Sequence, residues 1–203
     1  MRKIHFVIDL SASMHTMIED VKVSICETID NLGECDISLS TFNDVLNINA
    51  SSSTSSTFSM PELYCQGKTR LYDCLKEVLT LEIESQQTVI VILTDGINNL
   101  GNTSEQEVRN MITKFKENNN VVKFLGANMD ALTNASILGV DANDALTYDG
   151  INVKNAFRAL SSNICEFQKS GVNVPFLKPQ RLSSIQAPNN NFPKVTRCKS
   201  TRF

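Results

Sequence analysis

The chain begins with a short apolar segment that is followed at once by a helical pattern, and this order of elements recurs along most of the sequence. Residues 4–8 are rich in β-branched and aromatic side chains, which is typical of a buried strand in a parallel sheet. Over residues 14–32 apolar side chains return every three or four positions, which predicts a helix. A strand that leads directly into a helix is the repeating unit of an α/β fold.

The same two periodicities predict the remaining elements. Strands are expected at residues 36–42, 45–49, 88–93, 121–125 and 145–148, and helices near residues 71–79, 104–115, 130–138 and 153–169. Asn43 and Asp44 have turn chemistry, so the second and third strands form a hairpin that ends at a sheet edge. The serine- and threonine-rich residues 51–57 are expected to be a surface loop. The predicted fold is a doubly wound, mainly parallel six-stranded sheet with helices on both faces and one antiparallel edge strand.

The distribution of charge divides the chain near residue 168. Residues 1–168 hold 12 Lys and Arg and 22 Asp and Glu, whereas residues 169–203 hold seven Lys and Arg and no acidic residue. After residue 170 prolines and asparagines replace the periodic pattern. We therefore predict one domain over residues 1–168, long enough to bury a core, and a basic, poorly ordered tail over residues 169–203.

Cysteine usage and hydropathy predict a soluble, cytoplasmic protein. The six cysteines form no CxxC pair and have no histidine at zinc-finger spacing. Cys26, Cys74 and Cys165 fall on predicted helices, where reduced thiols pack as small apolar side chains. No apolar run approaches the roughly 18 residues that cross a bilayer, and no signal-peptide cleavage site follows the first residues. We expect no association with a membrane.

Oxygen-bearing side chains follow two predicted strands and open one predicted helix. Asp9 ends the first strand and is followed by Ser11 and Ser13, Asp95 ends the most apolar strand, and Thr69 precedes a helix. In open α/β sheets, ligands bind at the carboxyl ends of the strands, and carboxylate and hydroxyl oxygens suit a hard cation. Ser11 and Ser13 are also good helix caps, so the D-x-S-x-S pattern alone does not decide between these roles.

Three motifs, in this order, resemble those of the von Willebrand factor type A domain family. They are D-x-S-x-S at residues 9–13, G-x-T-x-L-Y-D at residues 67–73 and V-I-L-T-D-G at residues 91–96. The resemblance covers about residues 1–168. The later part, including F-L-G-A-N at residues 124–128, resembles soluble type A proteins of bacteria and phages and leaves a viral source open. The chain departs from the family at Ala12, where glycine is usual, and alanine fits there if its φ is negative.

The resemblance implies a metal-ion-dependent adhesion site and therefore a protein-binding module that is not an enzyme. Its metal ligands would be Asp9, Ser11, Ser13, Thr69 and Asp95. The expected cation is Mg²⁺ or Mn²⁺, and the expected partner is an unidentified protein that offers an Asp or Glu to the metal.

Three further residues near these motifs, Asp73, Asn98 and Asn99, have two interpretations each. Asp73 lies one helical turn after Thr69, where it either orients a hydroxyl or interacts with the helix N-terminus. Asn98 and Asn99 follow Asp95, so they either contact a ligand at the rim of the site or are ordinary polar loop residues. His5 alternates with apolar strand residues and is expected to have a structural role.

Two other functions stay open at this point. The basic tail can contact nucleic acid, it can be a solvated linker, or it can fold back on the acidic domain. Residues 67–69, G-K-T, imitate the end of a phosphate-binding loop, but Glu62 stands where the first glycine of that motif belongs. Because no nucleophile motif of hydrolases is present either, a metal-dependent hydrolase is the less favoured alternative.

Overall fold

The computed structural model describes residues 2–85 and 87–186. The strands are β1 (Lys3–Asp9), β2 (Asp36–Phe42), β3 (Leu46–Thr54), β4 (Thr88–Thr94), β5 (Val121–Ala127) and β6 (Ala145–Tyr148). The α-helices are α1 (Ile18–Asn31), α2 (Leu71–Glu82), α3 (Glu105–Glu117), α4 (Ala131–Ile137), α5 (Val153–Ser170) and α6 (Lys178–Ser183). Short 3-10 helices cover Ala12–Thr16, Ala142–Asp144 and Gly150–Asn152.

The six strands form one sheet in the order β3-β2-β1-β4-β5-β6. Every neighbouring pair is parallel except β2 and β3, which are antiparallel and form the edge hairpin. The predicted α/β architecture is therefore confirmed. Because β1 and β4 are adjacent and parallel at the centre of the sheet, the loops that follow them leave the sheet side by side.

Helices cover both faces of the sheet. One core contains Phe6 and Ile8 of β1 with side chains of α1 and α5, and the other contains Val7 with side chains of α2, α3 and α4. Alternate residues of β1 thus enter opposite cores, which explains why its sequence is apolar throughout. None of the helices within the described ranges is long and apolar enough to cross a membrane.

The edge strand β3 is longer than the sequence predicts. Residues 51–54, expected in a loop, continue the strand and pair with residues 36–39 of β2. The register shifts between Leu39 and Thr41, and Asn49 in the facing part of β3 has a φ of 52°, as expected at a bulge. A run of serine and threonine shows no apolar alternation, so its pairing with β2 leaves no periodic signal in the sequence.

The chain stays packed on the domain beyond the predicted boundary at residue 168. Helix α5 ends at Ser170, and the following segment, residues 172–186, lies along β6. Arg181 donates hydrogen bonds to the carbonyls of Ala145 and Ala142, and Ser184 donates to that of Thr147. This part of the predicted tail is ordered because its side chains bond to backbone groups, which composition does not indicate. Residues 187–203 of the predicted tail lie outside the described residues.

A buried lysine anchors this C-terminal segment. Lys123 Nζ donates to Asp144 Oδ1 at 2.7 Å and to the carbonyl of Val174 at 2.7 Å, and it lies 5.0 Å from the ring centroid of Phe176. Burial lowers the pKa of Lys123, while the neighbouring Asp144 charge opposes that shift. A buried charge is costly without partners. The ammonium group of Lys123 therefore depends on the Val174 carbonyl and the Phe176 ring of the C-terminal segment, since β5 itself supplies no partner for it.

Candidate functional site

The site is built where β1 and β4 end at the same edge of the sheet. Ile8 of β1 pairs with Leu93 of β4, so Asp9 and Asp95 leave the sheet next to each other. Asp9 is the last residue of β1 and is fully buried, at 0% exposure, whereas Asp95 is partly exposed. One carboxylate therefore lies at the floor of the site and the other at its opening.

The turn after β1 joins these two aspartates through its serines. Ser11 donates its backbone N–H to Asp9 Oδ1 at 2.7 Å, and the hydroxyl oxygens of Ser11 and Ser13 lie 3.3 Å apart. Ser13 Oγ then donates to Asp95 Oδ1 at 2.7 Å. Four of the predicted site residues thus form one continuous chain of polar contacts. Neither serine caps the following helix through its side chain, so the helix-cap interpretation is wrong.

The loop before α2 brings the fifth residue, Thr69, to the same place. Gln66 N–H donates to the Leu10 carbonyl at 2.8 Å, and Ala12 N–H donates to the Gly67 carbonyl at 3.2 Å. Thr69 is buried, and its Oγ1 lies so close to Gly96 that a Cβ on that glycine would be 3.4 Å away. All five residues predicted from the sequence therefore meet at one edge of the sheet.

Asn98 and Asn99 hold the two loops of the site together. Asn99 Oδ1 accepts the Thr69 N–H at 2.9 Å, and Asn99 N–H donates to the Thr69 carbonyl at 3.0 Å. Asn98 Oδ1 accepts the N–H of Tyr72 in the first turn of α2 at 3.0 Å. Both amide oxygens are engaged with backbone, so these residues fix the position of Thr69 relative to Asp95.

Asp73 ties α2 to the loop that precedes α3. Its carboxylate accepts from Arg70 Nε at 2.6 Å and from the backbone N–H groups of Asn102 and Thr103 at 3.2 and 2.9 Å. Burial alone would raise the pKa of Asp73, but hydrogen bonds from Thr103, Arg70 and Asn102 lower it to about 2. Asp73 therefore stabilises the loops around the site. Its contacts are with Arg70 and with the backbone of residues 102 and 103, whereas one of its two interpretations from the sequence was that it orients a metal-binding hydroxyl.

Thr94 is a site residue that the sequence analysis missed. Its hydroxyl donates to Asp9 Oδ2 at 2.6 Å and accepts the Gly96 N–H at 3.2 Å. Thr94 thus fixes the second oxygen of the buried carboxylate. The signal available in the sequence was a hydroxyl residue directly before Asp95 at the end of β4.

Asp44 was missed as well. Its Oδ1 accepts the Lys68 N–H at 2.9 Å, which links the β2–β3 hairpin to the loop that carries Thr69. Gly67 permits this contact because it has a φ of 71°, and a Cβ on it would lie 2.2 Å from Asp44 Oδ2. Only glycine combines this conformation with so close an approach.

The site contains two acidic side chains, Asp9 and Asp95, and neither has a cationic partner among the described residues. Burial raises the pKa of Asp9, hydrogen bonds from Thr94 and Ser11 oppose the shift, and the charge of Asp95 adds to it. Within residues 2–85 and 87–186, no Lys, Arg or His forms a salt bridge with Asp9 or Asp95. A buried carboxylate usually has an ionic partner or binds a metal, and here no side chain of the described chain fills that role.

The donor set fits a hard divalent cation. It contains two carboxylates and three hydroxyls, all of them oxygen ligands of the kind that Mg²⁺ and Mn²⁺ take. The described residues contain no cluster of three or more His, Cys, Asp or Glu side chains, so a cation here would depend on the hydroxyls. The hydroxyl of Tyr148 is also buried without a hydrogen-bond partner among the described residues. Its pKa is raised by burial and, in addition, by the charges of Asp95 and Asp9.

Ala12 is compatible with this geometry. It is exposed and lies in the 3-10 helix Ala12–Thr16, and it is absent from the described non-glycine residues that have positive φ. Alanine adopts such a conformation without strain. The replacement of the family's usual glycine therefore leaves the turn between Ser11 and Ser13 intact.

A second polar cluster, at the opposite end of β1, has the connectivity of a hydrolase triad. His5 Nε2 lies 2.8 Å from Ser40 Oγ, and His5 Nδ1 lies 2.9 Å from Glu82 Oε1. All three side chains are buried, and Ser40 Oγ also accepts the backbone N–H of Asn49. A nucleophile must reach its substrate, and Ser40 is buried. The cluster therefore joins β1, β2 and α2, in agreement with the structural role expected for His5.

Comparison with known proteins identifies the fold. No family model matches the chain, and no curated protein matches it in sequence. Proximal thread matrix protein 1 from the mussel byssus is 19% identical, with a TM-score of 0.64 over 81% of this chain and 46% of that chain. A von Willebrand factor type A protein from Catenulispora acidiphila is 14% identical, with a TM-score of 0.63 over 81% of this chain and 42% of that chain.

A third structure shows the mussel protein with a zinc-occupied MIDAS (metal-ion-dependent adhesion site) motif. It is 21% identical to this chain, with a TM-score of 0.58 over 84% of this chain and 45% of that chain. This chain spans less than half the length of each of these three matches. The chain has the von Willebrand factor type A fold, as its motifs predict.

Proposed function

We propose that this chain is a metal-dependent protein-binding module, in which one divalent cation joins it to an acidic residue of a partner protein. The cation, Mg²⁺ or Mn²⁺, is held by the five side chains at the ends of β1 and β4 and before α2, namely Asp9, Ser11, Ser13, Thr69 and Asp95. The observation that carries the proposal is that Asp9 and Asp95 are linked through the Ser11 backbone N–H and the hydroxyls of Ser11 and Ser13. Neither carboxylate forms a salt bridge with a cationic side chain of the described chain.

The charge balance of the site explains why the partner is acidic. Two carboxylates neutralise a divalent cation, and the three hydroxyls add no further negative charge. Such an ion retains affinity for another anionic oxygen, since magnesium prefers six oxygen ligands. The cation supplies the point of attachment, while Thr94, Asn98 and Asn99 keep the surrounding groups in place.

The mussel protein supports a divalent ion at this position of the fold, because zinc occupies its adhesion-site motif. The donor atoms of the present chain are all oxygens, and oxygen ligands favour Mg²⁺ and Mn²⁺. We therefore infer one of these two ions for this chain.

Metal binding is tested by isothermal titration of the purified chain with Mn²⁺ and with Mg²⁺. We expect one ion per chain, and we expect Asp95→Asn to weaken binding at least tenfold because one of two anionic ligands is lost. Asp20→Asn is the matched control, since Asp20 is an exposed residue of α1 and the chemical change is the same. Equal affinities of wild type and Asp95→Asn would refute the proposed ion site.

Partner binding is tested by affinity capture from an extract of the source organism. We expect a protein that is retained in Mg²⁺, released by EDTA and not captured by Asp95→Asn, while Asp20→Asn captures it normally. If neither EDTA nor Asp95→Asn changes the amount of partner protein retained, a metal-dependent contact is excluded.

We further infer a cytoplasmic, non-enzymatic role. Cys35 and Cys74 pack in the two cores as small apolar groups, which suits a reducing compartment, and the Ser40 cluster is closed to substrates. The nucleic-acid alternative gains no support from the described part of the tail. Its Arg181 guanidinium is engaged with the carbonyls of Ala145 and Ala142 and is not available to a phosphate.

A further inference from the structure

A groove lies beside the candidate metal site, between the β2–β3 hairpin and residues 61–66. Its volume is about 560 Å³, which is within the range of ligand-binding cavities. Its polar lining comes from both walls and includes Thr41, Asn43, Asn47, Glu62, Tyr64 and Gln66. We call it the hairpin groove.

The hairpin groove adjoins the turn that carries Asp9 and Ser11. Leu10 lines the groove and directly follows the buried Asp9. Gln66, at the other wall, donates its N–H to the Leu10 carbonyl and is three residues from Thr69. A segment of polypeptide that reaches the metal site therefore passes into the groove within a few residues, since each extended residue spans about 3.3 Å.

The lining of the groove suits an extended peptide. The side-chain amides of Asn43, Asn47 and Gln66 contain both donors and acceptors, as a peptide backbone requires. Val45 and Tyr64 stand at the groove with exposures of 57% and 72%. Large apolar side chains that are this exposed next to a polar cleft indicate a contact surface.

Charge places the acidic residue of the partner at the metal and not in the groove. The exposed Glu62 carboxylate lines the groove and repels an acidic residue there, whereas the proposed cation attracts one. A segment with an acidic residue at the metal and apolar residues beside it therefore complements both places.

We propose that the partner binds as an extended segment whose acidic residue reaches the metal site while its neighbouring residues lie in the hairpin groove, with an aliphatic or aromatic side chain against Val45 and Tyr64. This inference rests on the proposed function, because the metal site fixes the acidic residue. It adds that recognition depends on the sequence next to that residue.

The test uses a library of random 12-residue peptides displayed on phage and selected on the full chain in Mg²⁺, with a parallel selection in EDTA. In Mg²⁺ we expect enriched peptides that share one Asp or Glu and an aliphatic or aromatic residue at a fixed distance from it. Selection on Tyr64→Ser and on Asn47→Ala should keep the acidic residue and lose the preference at the second position. Leu81→Ser is the control, because Leu81 is an exposed residue of α2 distant in sequence from the groove.

The effect of each substitution on affinity is then measured with one peptide from the wild-type selection. We expect Tyr64→Ser to weaken its binding roughly tenfold, as for a central aromatic contact, and Leu81→Ser to leave it unchanged. An acidic consensus with no second preference, or the same preference in Tyr64→Ser and Asn47→Ala, overturns the groove inference alone. Absence of any Mg²⁺-dependent acidic consensus overturns the proposed function and the groove inference with it.

Discussion

The Glu82 carboxylate accepts hydrogen bonds from three side chains at the end of the sheet opposite the candidate site. They come from Lys3 Nζ at 2.5 Å, His5 Nδ1 at 2.9 Å and Ser85 Oγ at 2.7 Å. Burial alone would raise the pKa of Glu82, but these hydrogen bonds lower it to about 2. Since the pKa of Glu82 in the folded state lies below the ordinary value of 4.5, the ionised carboxylate stabilises the fold above pH 4.5, and this stabilisation is lost as the pH falls towards 2.

We predict that Glu82→Gln lowers the free energy of unfolding by about 3 kcal/mol at pH 7, because a buried, paired carboxylate is replaced by a neutral group. The difference from wild type should shrink between pH 4.5 and 2. Urea unfolding at a series of pH values measures both effects. Glu84→Gln serves as the control, since Glu84 is exposed, and a pH-independent difference for Glu82→Gln would contradict this role.

The site residues differ in how far the sequence reveals them. Asp9, Ser11, Ser13, Thr69 and Asp95 were found because each lies in a motif at the end or start of a regular element. Thr94 and Asp44 were not found, because their roles depend on which oxygen faces which group after folding. The sequence indicates that Asn98 and Asn99 follow Asp95, but their bonds to the backbone of α2 and Thr69 depend on loop geometry that the sequence does not show.

Among the elements, α6 protects the outer edge of β6. Arg181 and Ser184 bond to the carbonyls of Ala145 and Thr147, alternate residues of that strand. Unpaired edge groups otherwise invite pairing with another chain. The sequence predicted β6 itself through its apolar residues, but it did not predict that the segment after α5 covers it, because α6 buries none of its own residues.

We predict that Arg181→Ala destabilises the fold by about 2–3 kcal/mol, since the carbonyls of Phe176, Ala145 and Ala142 lose a charged donor. The exposed Lys178 of the same helix provides a matched control, and Lys178→Ala should cost less than about 0.5 kcal/mol. Chemical denaturation compares the two variants. Similar stabilities of Arg181→Ala and Lys178→Ala would show that α6 is not a stabilising part of the domain.

For the molecule as a whole, binding of the proposed cation would be thermodynamically linked to folding. The ligands of the proposed ion come from the ends of β1 and β4 and from the start of α2, so they are close together only in the folded state. A ligand that binds only the folded state at 100 times its dissociation constant adds about 2.7 kcal/mol of stability. For a domain of this size that corresponds to a rise in melting temperature of roughly 5–10 °C.

We therefore predict that saturating Mg²⁺ or Mn²⁺ raises the melting temperature of wild type and Asp20→Asn by this amount, and that EDTA reverses the rise. Asp95→Asn, whose affinity is at least tenfold weaker, should gain no more than about half of this rise at the same ion concentration. Differential scanning calorimetry provides the measurement. An equal rise for Asp95→Asn would place the stabilising ion elsewhere on the molecule.

The contact of Asp44 with Gly67 and Lys68 also has a mechanical consequence. A pulling force on the β2–β3 hairpin reaches the backbone of Lys68 through one short carboxylate bond, and Thr69 is the next residue. The Asp44 carboxylate approaches the Gly67 backbone directly, because Gly67 has no side chain. Tension applied at the hairpin is therefore transmitted to the loop before α2 that carries Thr69.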